Sequence, residues 1–324
     1  MYVRGRLAYL VCAWLAAFAL APGGHADAAS TGPNKHSDIK LTEVKGPPQT
    51  ALWKLVNGKS TLYLLGSIHV LPVNFSWRTS AIDQAIGAAD VFAFETNLEF
   101  ATAEFHYFMD NRGYLPRGQT LHAMLSPVAR KQYETLMEDM RLDPNRVDYL
   151  RPGLASLILE NAYLSTHASL KLGPGVDATL VSYAKTHNKE LRYLESLQSQ
   201  FELLEAFGGG SEIKVLEQKL TDLGKSDTKP QEMFAAWVKG DLPKLVSMDD
   251  TDPSLRPVLL YNRNKAWLPK IEAMLKEPKT YLVTVGAAHL AGPDSVISLL
   301  CAKGWKVERV QTGPTPPPPP ACGT

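Results

Sequence analysis

Apolar positions along the chain follow two different periods, which together predict an α/β fold. Short apolar runs of strand length lie at residues 52–56, 61–65, 91–94, 191–194, 281–285 and 306–310. Longer stretches with apolar residues three and four positions apart predict helices at residues 80–89, 127–140, 154–170, 176–187, 199–207 and 264–275, and a further helix from about residue 293. Because the strands alternate with helices, we expect a mainly parallel central sheet with helices packed on it.

The first two strands are expected to form an antiparallel hairpin. They flank Asn57-Gly58, a pair typical of the type I′ turn that joins two strands with a two-residue loop. The predicted fold class is therefore an α/β domain with an N-terminal β-hairpin beside a mainly parallel sheet.

The first 28 residues have the three parts of a secretory signal peptide. Arg4 and Arg6 precede an apolar run at residues 7–21, and Ala26-Asp27-Ala28 offers a cleavage site between small residues. An uncleaved membrane anchor is the alternative, but an anchor needs about 20 apolar residues and this run is shorter. We expect a periplasmic or secreted protein cleaved near Ala28, with no further segment apolar enough to span a bilayer.

The rest of the chain divides by composition into three parts. Residues 29–50 are rich in Ser, Thr, Gly, Pro and Lys and predict a flexible leader. Residues 51–313 form the α/β domain, and residues 314–324 form a Pro-rich tail that favours polyproline II. Cys301 and Cys322 remain after signal cleavage and could pair in an oxidising compartment, which the sequence leaves open.

Composition narrows the classes of function. The chain is 45% hydrophobic and 21% charged, an ordinary globular mixture. Lys plus Arg number 34 and Asp plus Glu number 33, so no basic field exists to hold a polyanion. A nucleic-acid partner is therefore not expected, and the oligomeric state is left open.

Four predicted strands end beside a side chain that can act in catalysis or metal binding. Two are histidines, each the last residue of a Gly-x-x-His motif, and two are glutamates. In chain order they are His69, Glu95, Glu195 and His289. The carboxyl ends of parallel strands meet at one edge of a sheet, where ligands bind, so we expect these four residues in one cluster. Such a set suits a divalent metal site or a general acid/base pair.

Glycines and two further histidines carry weaker signals. Gly66 and Gly286 open the two Gly-x-x-His motifs, where they would let the chain leave each strand sharply and approach a ligand. His167 and His187 fall in predicted helices, and we interpret both as facing solvent. We therefore expect the glycines to shape the site and these histidines to lie outside it.

Three polar residues at predicted helix starts are secondary candidates. Asp177 opens a helix, where a carboxylate favours the dipole, and a role in the site is the second interpretation. Arg263 and Asn264 supply a cation and an amide that could orient a carbonyl or carboxylate, although a surface helix start explains them equally well. The sequence leaves these alternatives open.

At these residues the chain resembles the TraB/GumN family, which includes the Tiki metalloproteases. The resemblance spans roughly residues 50–311. The segments that carry it are Leu52-Trp53-Lys54, residues 65–72, Phe94-Glu95, Gly175-Val176-Asp177, Leu194-Glu195, Arg263-Asn264 with Trp267, residues 285–290 and residues 304–307. Two Gly-x-x-His motifs together with a glutamate after a strand are the hallmark of that family.

The resemblance implies a fold, a cofactor and a set of roles. The fold would be related to erythromycin-esterase-like and ChaN-like proteins. For the Tiki members the resemblance implies peptide cleavage that depends on a divalent ion, here expected to be Mn, Co or Zn. By position, His69, Glu95 and His289 would hold the metal, with Glu195 as a fourth ligand or base. Gly66 and Gly286 would shape the loops, and Arg263 and Asn264 would line the cleft.

The leading hypothesis is an exported metal-dependent hydrolase acting on a peptide or protein. The ion would polarise the scissile carbonyl, Glu95 or Glu195 would take the proton from its bound water, and Arg263 or Asn264 would steady the substrate or oxyanion. One alternative is a ChaN-like periplasmic protein that binds haem or another ligand without catalysis. Another is a metal-independent esterase with His69 or His289 as general base.

Overall fold

The central sheet contains the apolar runs of the sequence. The computed structural model describes residues 44, 46–97, 103–169, 171–206, 212–223, 229–247, 256–314 and 322. Its strands, numbered in chain order, are β1 (Leu52–Asn57), β2 (Ser60–Ser67), β3 (Val70–Pro72), β4 (Val91–Phe94), β5 (Leu172–Pro174), β6 (Glu190–Tyr193), β7 (Thr280–Gly286) and β8 (Glu308–Arg309). The predicted signal peptide lies outside the described residues, as do most of the predicted leader and tail.

The helices follow the predicted spacing closely where a prediction was made. In chain order they are α1 (Ser80–Ala88), α2 (Ala103–Phe108), α3 (Leu121–Met124), α4 (Pro127–Asp139), α5 (Pro152–His167), α6 (Val176–Thr186), α7 (Leu197–Ala206), α8 (Glu212–Leu223), α9 (Lys229–Val238), α10 (Leu242–Ser247), α11 (Asn262–Met274) and α12 (Val296–Ala302). A π-helical turn, Pro257–Tyr261, leads into α11. In the part of the chain that the structure describes, no helix is long and apolar enough to cross a membrane.

The chain divides into two compact units. The sheet unit comprises the described residues of 42–97, 172–196 and 229–324, and the helical unit comprises those of 98–171 and 197–228. The sheet has the strand order β6-β4-β7-β2-β1-β8. Its first four strands run parallel, whereas β1 is antiparallel to both β2 and β8. The predicted mainly parallel sheet with an N-terminal hairpin is therefore confirmed.

The hairpin turn differs from the prediction by one residue. Asn57 pairs with Ser60 as the last rung of the ladder, so the two-residue loop is Gly58-Lys59 rather than Asn57-Gly58. Gly58 has a φ of 57°, but Lys59 is not among the residues with positive φ, which a type I′ turn would require at both loop positions. The type I′ prediction is wrong because Asn57 extends β1 instead of entering the turn.

The core of the sheet unit explains why β4 and β7 are continuous apolar runs, whereas β2 alternates between buried and half-buried positions in its first half. Phe92, Leu64 and Val283 are buried to less than 1% exposure at their places in these central strands. A parallel strand covered by helices on both faces buries both sets of side chains, so its sequence does not alternate. A separate two-stranded ribbon pairs β3 with β5 in antiparallel register.

The helical unit packs around α5, whose side chains from Leu154 to Tyr163 are buried on every side. This helix contacts α7 and α8, and α8 also contacts α4. Lys219 of α8 pairs with Glu160 of α5 at 2.9 Å, and both side chains are buried. A helix that is buried all round is typical of the centre of a helical bundle.

His167 is buried, so the prediction that it faces solvent is wrong. It lies at the end of α5 with 1% of its surface exposed. Its Nε2 lies 2.6 Å from Asp139 Oδ2, and its Nδ1 lies 3.0 Å from the Tyr163 carbonyl oxygen. The polar partners satisfy the ring inside the bundle, which apolar spacing cannot reveal. His187 is exposed at the end of α6, as predicted.

Cys301 and Cys322 form a disulfide across a sequence separation of 21 residues. The bond fastens the C-terminal tail to α12, which settles the pairing that the sequence left open. A covalent link of this length restricts the unfolded chain and so stabilises the folded one.

Cys322→Ser is expected to lower the free energy of unfolding by about 3 kcal/mol, the value typical of a loop of this size. Chemical denaturation of each protein, once in its oxidised form and once with a reducing agent present, measures the effect. Reduction should lower the free energy of unfolding of the parent chain but leave that of Cys322→Ser unchanged. Equal stability of the oxidised and reduced parent would show that the link contributes nothing.

Candidate active site

The four parallel strands bring their carboxyl ends to one edge of the sheet. Phe94 lies opposite Tyr193 and Thr284, and Ser67 lies opposite Gly286, so these strand ends are level with one another. The predicted residues follow the strands by one to three positions; in chain order they are His69, Glu95, Glu195 and His289. All four belong to the sheet unit.

His69 is held by Asp177 at the start of α6. Its Nδ1 lies 3.2 Å from Asp177 Oδ2, and Asp177 Oδ1 accepts a hydrogen bond from Ser67 Oγ at 2.8 Å. The Asp177 and His69 side chains are 2% and 5% exposed, so water competes little for this pairing. Of the two interpretations of Asp177, the helix start is confirmed, and its carboxylate also orients the histidine.

Gly175 permits this pairing by letting two backbone segments touch. The N–H groups of Gly175 and Val176 donate to the carbonyl oxygens of His69 and Ile68 at 2.9 and 3.1 Å. A Cβ atom on Gly175 would lie only 2.1 Å from the Ile68 oxygen and 2.3 Å from the His69 carbonyl carbon. The loop that carries His69 can therefore reach α6 only because residue 175 has no side chain.

Gly66 and Gly286 act in two different ways. A Cβ on Gly66 would lie 3.3 Å from Ala287 Cα, which is tight contact between the end of β2 and the turn after β7. Gly286 contributes its backbone N–H, which donates to Glu95 Oε1 at 2.7 Å. The missing side chain of Gly66 and the amide of Gly286 thus both shape the edge of the sheet.

Glu95 is a buried carboxylate held by positive partners. Gly286 N–H donates to its Oε1, and Arg263 Nη2 donates to its Oε2 at 2.6 Å. Burial raises the pKa of Glu95, but Arg263, His289, His69 and the amide together outweigh burial and lower that pKa to about 2. Glu95 is therefore an anion at neutral pH, and it lies within electrostatic reach of both histidines.

Arg263 uses all five of its N–H donors inside the protein. Its Nε donates to the Glu195 carboxylate, and Nη1 donates to the Leu259 carbonyl oxygen and to His289 Nε2 at 3.2 and 3.0 Å. Nη2 donates to Glu95 and again to Glu195. A guanidinium has five donors and no more. Arg263 therefore holds the two glutamates and His289 in place, with no N–H left for a substrate.

The two carboxylates in turn keep Arg263 charged. Burial lowers the pKa of the guanidinium, but the negative charges of Glu95 and Glu195 outweigh that effect and raise the pKa above its usual value. The group of Glu95, Glu195 and Arg263 carries a net negative charge, and it is 5–10% exposed.

His289 is buried with both ring nitrogens in use. Nδ1 lies 2.6 Å from Asn264 Oδ1, and Nε2 accepts the hydrogen bond from Arg263. Asn264 Nδ2 donates to the Asp294 carbonyl oxygen at 2.8 Å, which fixes the amide and places the His289 proton on Nδ1. Burial and the charge of Arg263 lower the pKa of His289 to about 3, so the ring is neutral.

Asn264 and Arg263 are thus internal to the site. Asn264 is fully buried and Arg263 is 5% exposed, so neither begins a surface helix, which was one of the alternatives. The first turn of α11 directs both side chains at His289: Arg263 Nη1 donates to its Nε2, and Asn264 Oδ1 accepts from its Nδ1.

Trp267 and Ser67 belong to the site, although the sequence assigned them no role. Trp267 Nε1 donates to Glu195 Oε2 at 3.2 Å, and its ring lies against His289 with ring centroids 4.4 Å apart. Trp267 follows Arg263 by one helical turn, a spacing that places both on one face and could have indicated the contact. Ser67 carried no signal besides its place inside the Gly-x-x-His motif.

The expected metal ligands are divided between two networks. His69 is paired with Asp177, whereas Glu95 and His289 both accept hydrogen bonds from Arg263. Among the described residues, no three His, Cys, Asp or Glu side chains converge in the way that a metal ion requires. The chemistry that this arrangement favours is proton transfer at His69 beside a fixed anionic group.

Known proteins resemble this chain over most of its length. It is 24% identical over 250 residues to the uncharacterized protein YbaP of Escherichia coli (strain K12), which covers 75% of this chain and 89% of that protein. It is 23% identical to the protein named metalloprotease TIKI1 of Danio rerio, over 87% of this chain and 67% of that protein. A shorter match, 33% identical over 72 residues, is to metalloprotease TIKI2 of Xenopus tropicalis and covers 22% of this chain and 14% of that protein.

No solved structure matches the chain significantly, so the expected kinship with erythromycin-esterase-like and ChaN-like folds stays a prediction. The model of the TraB/PrgY/gumN family matches residues 51–309, which cover every strand of the sheet and both Gly-x-x-His motifs. The chain therefore belongs to the TraB/PrgY/gumN family.

Proposed function

We propose that this chain is a hydrolase that cleaves peptide bonds, with His69 as its general base. The observation that carries the proposal is the buried contact between His69 and Asp177, because a carboxylate on Nδ1 fixes the ring and directs proton transfer to Nε2. Two relatives are named metalloproteases, and their names support a peptide bond as the target.

The proposed reaction uses the two networks for different tasks. His69 takes the proton of a water molecule that attacks the scissile carbonyl and later gives that proton to the leaving amine. Asp177 stabilises the imidazolium through Nδ1. Glu95 lies within electrostatic reach of His69 and adds to this stabilisation, because opposite charges attract strongly in a buried site.

A divalent metal is the cofactor expected from the resemblance, and the residues present do not fit one. His289 Nε2 has one lone pair, which accepts a hydrogen bond from Arg263, and the same guanidinium donates to Glu95 Oε2, so that it lies between these two expected ligands. A metal ligand must direct its lone pair at the ion, with a separation of about 2.0–2.2 Å for nitrogen and oxygen donors. We therefore assign no step of the reaction to a metal ion.

Export is part of the proposal. The signal-peptide pattern of residues 1–28 supports it, and so does the disulfide between Cys301 and Cys322, since disulfides persist in oxidising compartments. We propose a periplasmic or secreted enzyme.

Asp177→Asn tests the proposed base. The Ser67 hydroxyl donates to Oδ1, so the new amide would keep its oxygen there and turn its NH₂ group toward His69 Nδ1. His69 would then carry its proton on Nε2 and could not accept another from water. We expect kcat to fall by about 10²–10⁴-fold with the fold retained.

The assay is hydrolysis of a mixed peptide library, with ester substrates in parallel, by the purified mature chain. Asp83→Asn is the matched control, since Asp83 also lies in the first turn of a helix but is half exposed and pairs with Arg78. Cleavage by Asp177→Asn at the parent rate would reject His69 as the base. Cleavage of the ester substrates without cleavage of peptides would indicate that the chain is an esterase and not a peptidase.

A further inference from the structure

The guanidinium of Arg263 lies between the side chains that a divalent ion would bring together. It contacts Glu95, Glu195 and His289 at once, and Nη2 alone reaches both carboxylates. Two carboxylates and one imidazole form the kind of mixed oxygen and nitrogen set that Mn, Co or Zn selects. In this chain the centre of that set is filled by a side chain.

The contacts of Arg263 are those of a permanent cation. The guanidinium is 5% exposed, all five N–H donors are in use, and its Cζ lies over the Trp267 ring, 4.9 Å from the ring centroid. Removing a partner from a buried ion pair is strongly destabilising, because the remaining charge is left unpaired. An incoming divalent ion would have to break these contacts and then lie beside a second positive charge.

We propose that Arg263 supplies the positive charge that a divalent ion supplies in a metalloprotease, and that this site works without a bound metal. Arg263 is then a positioning residue that holds Glu95 and Glu195 as anions and keeps His289 fixed. The inference deepens the proposed function, but its test measures ion binding instead of turnover, so that either can fail alone.

The test is calorimetric titration of the metal-stripped mature chain with MnCl₂, CoCl₂ and ZnCl₂. We expect no stoichiometric binding by the parent chain and no rise of its Tm with any of the three ions. One ion bound per chain, lost in His289→Ala, would overturn the proposal. This arm needs only the parent chain and His289→Ala, and it is decided whether or not a peptide is ever cleaved.

Arg263→Met gives the complementary arm, because it removes the charge and roughly keeps the length of the side chain. Without the guanidinium, Glu95, Glu195 and His289 no longer accept hydrogen bonds from residue 263, and the two carboxylates lose the cation between them. We expect this variant to bind one ion at least tenfold more tightly than the parent and to gain Tm on ion addition. Arg192→Met is the control, since Arg192 also pairs with two carboxylates, Glu190 and Glu277. These three side chains are more exposed to solvent than those around Arg263.

Each outcome of this second arm has a meaning. A folded Arg263→Met that binds no ion would overturn the assignment of Arg263 to the position of the ion. If Arg263→Met does not fold, Arg263→Lys serves instead: it keeps one charge but provides three donors in place of five, and ion binding should stay absent. Stoichiometric ion binding by Arg263→Lys would count against the proposal.

Discussion

Replacing His69 by alanine is expected to lower kcat for hydrolysis by about 10²–10⁴-fold, the loss that accompanies removal of a general base. The substitution deletes the group that accepts the proton of water in the proposed reaction, and it leaves the Asp177 contact with Ser67 in place. The fold should therefore persist, and circular dichroism of the variant should match that of the parent.

His187→Ala is the control for His69→Ala, because His187 is exposed at the end of α6 and belongs to no part of the site. Its kcat should equal that of the parent. In the double variant His69→Ala/Asp177→Asn, kcat should fall no further than in His69→Ala, since residues that act as one unit are not additive. Additive losses would show that Asp177 acts on the reaction independently of His69.

Gly175→Ala is expected to destabilise the chain by roughly 3 kcal/mol, the upper end of the usual overpacking range. The added Cβ would overlap the Ile68 and His69 backbone at 2.1–2.4 Å, and backbone atoms cannot turn away as a flexible side chain can. Gly175 has a φ of −79°, so the cost arises from contact and not from its own conformation. Displacement of the His69 loop should also reduce kcat.

The matched control is Gly87→Ala. Gly87 lies in α1 with open space around the position of a Cβ. Alanine there restricts the unfolded chain and should raise stability slightly, by up to about 1 kcal/mol. Urea denaturation of both variants gives the comparison. A Gly175→Ala protein as stable as Gly87→Ala would mean that the loop has slack and that Gly175 does not position His69.

The sequence predicts the edge of the sheet better than the contacts made there. Apolar runs identify β2, β4 and β7, and adjacency alone indicates that Glu95 and His289 follow parallel strands. The ribbon of β3 and β5 is three residues long on each side and has no detectable period. The ribbon brings the segment that follows His69 next to the segment that precedes Asp177. Because its strands have no detectable period, the sequence could not predict that these two side chains pair.

The partners of Arg263 were equally beyond the sequence. A cation at the start of α11 is compatible with a surface helix, a substrate contact or an internal ion pair, and composition does not choose among them. The choice among these three alternatives depends on where Glu195 and Trp267 lie in space. Glu195 accepts a hydrogen bond from the guanidinium, and Trp267 donates to the same carboxylate. The burial of His167 could not be predicted for the same reason, because its partner Asp139 belongs to another helix.

The parallel pairing of β2 with β7 has a consequence for the way the chain is made. Thr61 of β2 is opposite Thr280 of β7, and the hydrogen bond from Gly286 to Glu95 spans 191 positions. Contacts so distant in sequence form slowly, since the entropy of closing the loop must be overcome before the pairing rewards it. The strand ends that carry His69 and Glu95 therefore cannot take their final places until β7 has been synthesised, because β7 lies between β2 and β4 in the sheet.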